Sequence, residues 1–176
     1  MADLPTVQES VNWFRDTAQS LTGNYGKLLN DPKNGVGGLT IDSIGRMYMF
    51  FYDPKNKDIL PTYDTFPLVF PINFYGNGFL GINLHYLHGG GRAALLGALK
   101  EAATNDKYDD STKLKISYDI LNRSSKYSGF NVCVKRYLYS HVASRYLYIE
   151  PRNWDYAITL PTESFVTKSQ NIRGGR

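Results

Sequence analysis

Between Ile44 and Leu87 apolar and polar positions alternate with the two-residue period of β-strands, while the flanking stretches follow the wider spacing of helices. Met47, Met49 and Phe51 alternate with Arg46, Tyr48, Phe50 and Tyr52, so both faces of this strand are largely apolar or aromatic. Such a strand is covered on both sides or set at an interface. The run from Asp53 to Asp58 reads as a turn, with Pro54 at a favoured early position. Proline cannot donate to a ladder, so the strand from Phe66 to Ile72 is predicted to be an edge or to bend at Pro71. Gly76-Asn77-Gly78 closes a hairpin, after which Leu80, Ile82, Leu84 and Tyr86 alternate with Gly81, Asn83 and His85. Short strands bent by proline predict a small SH3- or OB-like β-barrel or sheet over about residues 44–87.

Helical spacing starts near the N-terminus. Thr6 and Glu9 fit a capping box, and Leu4, Val7, Val11, Phe14, Ala18 and Leu21 recur on one face before Gly23 offers a stop. Residues 30–43 are polar and Gly-rich without periodicity, which predicts a connector or arm. Gly89-Gly90-Gly91 separates the sheet from a second helix, whose face is Arg92, Leu95, Leu96, Leu99, Ala102 and Ala103. A third helix, capped by Asp110 or Ser111, carries Leu114, Tyr118 and Leu121. Val134, Leu138 and Val142 again fall at helical spacing, so a helix is expected there, followed by a strand at Tyr146 to Ile149 and an apolar run from Trp154 to Leu160. The fold class is therefore α+β, with an N-terminal helix and two or three C-terminal helices around the β core. A single domain over 1–176 divides into a helix (1–29), the connector (30–43), the β core (44–87), a helical and mixed region (88–166) and a flexible basic tail (167–176).

Charge sharpens this picture. Residues 1–112 carry nine Lys or Arg against twelve Asp or Glu, whereas residues 113–176 carry eleven against four. A basic C-terminal third points to a polyanion or an acidic protein surface, with Lys135, Arg136, Arg145, Arg152, Arg173 and Arg176 as candidate contacts. Fourteen tyrosines and nine phenylalanines suit surfaces with one packed and one wet end. Tyr48, Phe50, Tyr52, Phe14 and Trp13 are accordingly candidate interface residues.

Other chemistries find little support. No apolar run reaches the length of about eighteen residues that a membrane helix needs. The first ten residues lack the basic and apolar regions of a secretory signal, so a cytoplasmic origin is expected. Cys133 is the single cysteine, with apolar neighbours, and is expected to be a buried thiol. Gly35-Val36-Gly37-Gly38 lacks the flanking strand and helix of a dinucleotide fingerprint. His85 and His88 stand near one another without a third metal ligand or a nucleophile in a recognisable motif, and Asp64 is placed in a turn. No catalytic, cofactor or metal residue is assigned, and no cofactor is expected.

The segments MYMFFYDPKNKDILPTYDTFPLVFPI, GFLGINLHYL, KRYLYSHVASRYLYIEP and WDYAITLPTESF together resemble a family of virion-associated proteins from contractile-tailed bacteriophages of the T-even type. The resemblance runs from about Val11 to Phe165, and the connector and tail match least. It implies a non-enzymatic structural protein of the virion, a tail or baseplate component assembled in the host cytoplasm, with other virion proteins and copies of itself in a ring as partners. The alternative is a DNA-binding virion protein at the neck or genome end, using the basic residues on phosphates and tyrosines as stacking platforms. A metal-dependent nuclease or other hydrolase built on His85 or His141 is the least favoured reading, because the acids are scattered through turns.

Overall fold

The strand bent by Pro71 lies in the middle of the fold, not at its edge. In the computed structural model, which describes residues 3–22, 39–161 and 165–168, seven strands and four α-helices are joined by short 3-10 turns. The strands are β1 (Met47–Met49), β2 (Thr62–Asp64), β3 (Leu68–Tyr75), β4 (Gly78–Asn83), β5 (Val134–Leu138), β6 (Leu147–Ile149) and β7 (Val166–Lys168). The helices are α1 (Val7–Thr22), α2 (Gly89–Thr104), α3 (Asp110–Ser124) and α4 (Trp154–Thr159). Five strands form one antiparallel sheet in the order β5-β4-β3-β1-β6, and β2 pairs with β7 in a second. Of the expected barrel or sheet, the fold is the open sheet.

β3 tolerates its proline because the ladder is interrupted there. Pro71 pairs with Gly81, and the register shifts between Pro71 and Asn73, an irregularity that absorbs the missing donor and bends the strand. The expected bend is present, but the edge position belongs to β5 and β6.

Alternation along β1 sorts side chains into two cores. Met47 and Met49 join Leu68, Phe70, Ile82, Leu96, Leu99 and Trp154 under the helices, while Tyr48, Phe50 and Tyr52 face a second cluster with Val69, Phe79, Tyr137 and Val142. In that aromatic cluster Tyr137 packs edge-on against Phe50 at 5.4 Å and Tyr52 at 5.1 Å, and stacks on Phe79 at 5.2 Å. Much of the aromatic content is thus internal. Tyr48, Phe50 and Tyr52, expected at an interface, are only 8%, 0% and 8% exposed and are core residues of this chain.

The N-terminal helix docks on the same chain. Its capping box is closed, the Thr6 backbone N–H donating to Glu9 Oε2 (2.8 Å) and the Glu9 N–H to Thr6 Oγ1 (3.3 Å). Phe14 is buried, and Trp13 stacks on Tyr156 of α4 at 5.1 Å. These two candidate interface residues are used within the chain. The first positions of the expected stripe, Leu4 and Val7, remain exposed.

Three local expectations need correction. Residues 134–138 form β5, not a helix: β4 would otherwise be the sheet's edge, and Val134 and Tyr137 suit a pleated, half-buried surface better than a helix. The cap of α3 is Asp109, which accepts from the Thr112 N–H at 2.7 Å, one residue before the expected Asp110. The glycine triplet is the first turn of α2 and not a joint before it. Arg92, on the expected face of that helix, donates through Nη1 to the carbonyls of Ala157 (2.8 Å) and Leu160 (2.7 Å), tying α2 to the end of α4.

Gly45 is required by its conformation and its neighbour. Its φ is +81°, and an added Cβ would sit 2.6 Å from Ser117 Cβ on α3. The variant Gly45→Ala is expected to lose about 1–3 kcal/mol in urea unfolding, from left-handed strain and the clash together. An unchanged midpoint would show that the turn into β1 is not held against α3.

Candidate nucleic-acid interface

Where β5 meets the β3–β4 hairpin and the segment from Tyr52 to Asp64, a cleft of about 560 Å³ opens. Its floor is a buried polar network. Asp64 ends β2, and its carboxylate accepts from the Phe66 N–H (2.8 Å), from Asn83 Nδ2 (2.8 Å) and lies 2.7 Å from His85 Nδ1. The second Asn83 N–H donates to the Tyr137 hydroxyl at 3.1 Å, and the Asn83 Oδ1 accepts from the His85 N–H at 2.9 Å. His85 stacks on Phe165 at 4.3 Å. Burial pushes the Tyr137 phenol well above its ordinary range, so it stays a neutral hydroxyl.

The wall is basic and aromatic. The β4–β5 register sets Lys135 opposite Gly81 and Arg136 opposite Leu80. Lys135 places its ammonium 4.1 Å from the centre of the Tyr86 ring, a cation–π contact on a half-buried stem. Desolvation lowers the Lys135 pKa and is also the main reason the Tyr86 phenol is pushed up to about 12. Arg136 points along the exposed side, with its guanidinium 4.9 Å from the Tyr75 ring centre and Nη2 donating to Asn77 Oδ1 at 2.8 Å. Among the described residues neither cation is ion-paired with a carboxylate. Their present partners are ring faces and an amide, both neutral.

The remaining basic candidates do not gather here. Arg152 pairs with Glu150 at 2.6 Å, Arg145 is half-buried, and Arg173 and Arg176 lie outside the described residues, as do residues 23–29 of the N-terminal segment, residues 30–38 of the Gly-rich connector and most of the tail. The histidines are also separated in role. His88 is exposed at the start of α2, and His141 Nδ1 contacts the Asp53 carbonyl at 2.8 Å. Cys133 is fully buried, and desolvation raises its thiol to about 11. No cluster of three or more His, Cys, Asp or Glu that could hold a metal occurs among the described residues.

Sequence reasoning missed the Asp64–Asn83–His85–Tyr137 network, because its members come from three strands and the turn after β4. The sequence pattern places Asp64 in a turn; it is the buried last residue of β2. The one local signal was the Asp-Thr-Phe-Pro run, in which Asp64 closes on the Phe66 N–H.

A cleft of this kind can hold phosphate at its wall, stack a planar group on tyrosine and offer neutral hydrogen-bonding groups at its floor. Residues 5–175 match the family described as phage T4 terminal DNA protecting protein. The chain belongs to that family. The expected T-even kinship therefore holds at the level of the phage family, and its description speaks of terminal DNA with no mention of a tail or baseplate. No curated protein and no solved structure matches the chain.

Proposed function

We propose that this protein, acting as a single domain, binds the ends of phage DNA and shields them by occupancy, as a virion-associated DNA-binding protein and not as an enzyme. The family match over nearly the whole chain carries this reading. Lys135 and Arg136 support it, since a phosphate would give both cations the anionic partner they lack within the described residues. So does the excess of Lys and Arg after residue 112. The genome-end alternative from the sequence is thus favoured over the tail or baseplate assignment. Assembly into a ring with copies of itself or with other virion proteins has no support in the family description.

The test is binding of a linear duplex by fluorescence anisotropy across a salt series. Affinity is expected to fall steeply, with a log–log slope of about 0.9 per phosphate neutralised. Lys135→Ala and Arg136→Ala should each weaken binding and reduce that slope by about 1, while leaving the unfolding midpoint nearly unchanged. An affinity flat in salt, or variants with the wild-type slope, would overturn the reading.

A further inference from the structure

We infer that the cleft beside β5 receives the terminal nucleotide of a DNA strand, with its phosphate on Lys135, the next phosphate on Arg136, and its base against Tyr86 and Tyr63, which both line the cleft. This deepens the proposed DNA-end reading and rests on it.

Size argues for a single nucleotide. About 560 Å³ falls within the range of roughly 300–1,000 Å³ typical of pockets that enclose one small molecule. A base paired and stacked within a duplex cannot reach into such a space without leaving the stack. Only a nucleotide taken out of the stack can be inserted, and a strand terminus gives one up most cheaply.

Chemistry argues for the same occupant. Lys135 now rests on the Tyr86 ring, a soft partner that a phosphate oxygen can replace. Moving the ammonium to phosphate exposes that ring face for a base. Arg136 is already fixed on the hairpin turn by Asn77 and Tyr75, where it can hold the next phosphate along the strand. Asn83 and the Tyr137 hydroxyl at the floor form a satisfied network, so a base edge reaching them meets neutral groups instead of an exposed carboxylate. Stacking on tyrosine is tolerant of sequence because every base has a π-face, which suits protection of any end. Selectivity for ends then follows from mechanics. A terminal base is stacked on one side only, so extracting it is cheaper than flipping an internal one.

The test uses the full-length protein and three duplexes carrying 2-aminopurine at the 5′ terminus, at the 3′ terminus or at an internal position, read by emission and, in parallel, by anisotropy. Binding is expected to change the emission of at least one terminal probe and to leave the internal probe unchanged. Tyr63→Leu should reduce the terminal signal several-fold while retaining most of the anisotropy change, and Lys135→Gln, at a half-buried position, should reduce both. Circular dichroism establishes that each variant is folded. Binding by anisotropy with no change at either terminal probe, or with an equal change at the internal one, overturns the pocket inference and leaves the DNA-end reading standing. Absence of any anisotropy change overturns both.

Discussion

Replacing Asp64 by alanine is expected to cost about 3–5 kcal/mol, the range seen when one partner of a buried polar pair is removed. Asp64 is 4% exposed, and its carboxylate serves the Phe66 N–H, Asn83 Nδ2 and His85 Nδ1. Each buried donor left without an acceptor costs about 1–3 kcal/mol, and water entering from the cleft offsets part of the sum. For a chain of this length the loss corresponds to a fall in Tm of roughly 6–20 °C. Asp64→Asn should cost less, because its amide oxygen still serves two of the three donors while its NH2 group opposes the third. A loss under about 1 kcal/mol for the alanine variant would mean that the floor is hydrated and the network weak.

Trp154→Ala should be comparably damaging, at about 3–5 kcal/mol in equilibrium unfolding. Trp154 has no exposed surface, stands edge-on to Phe70 of β3 at 5.2 Å, and donates its indole N–H to the Ile149 carbonyl at 2.9 Å. Its loss leaves a void beneath the central strand and removes the indole donor from the Ile149 carbonyl at the end of β6. Trp154→Phe keeps most of the volume and loses the hydrogen bond, so it is expected to recover more than half of the stability. Equal losses for both variants would place the energy in the hydrogen bond and not in the packing.

These two residues also show where the sequence was legible. Trp154 opens an apolar run that the pattern picks out, though not its place in the core, and the alternation in β1 correctly implies a strand apolar on both faces. The same alternation could not distinguish a second core from an external interface, because both ask for apolar residues on both faces. The segment covering the aromatic face lies about ninety residues away, where Val142 and Tyr146 pack over Tyr52 and Phe50. β5 was read as helical because Val134, Leu138 and Val142 happen to recur every four residues; its true determinant is the open edge of β4, a tertiary fact. The candidate site was legible in charge only. Lys135 and Arg136 were singled out as basic, but the floor beneath them depends on Asp64 meeting residues 19 and 21 positions later, a pairing that local pattern does not encode.

The central claim is that this protein protects DNA ends by holding them. It is tested most directly by digesting an end-labelled linear duplex with a processive exonuclease, with and without the protein, beside an endonuclease control that cuts internally. Protection of the label that is saturable, weakened by added salt and diminished in the Lys135→Ala/Arg136→Ala double variant, with internal cutting unaffected, is the result expected here. Digestion at the same rate in the presence of saturating protein, or protection that extends equally to internal cutting, would contradict it.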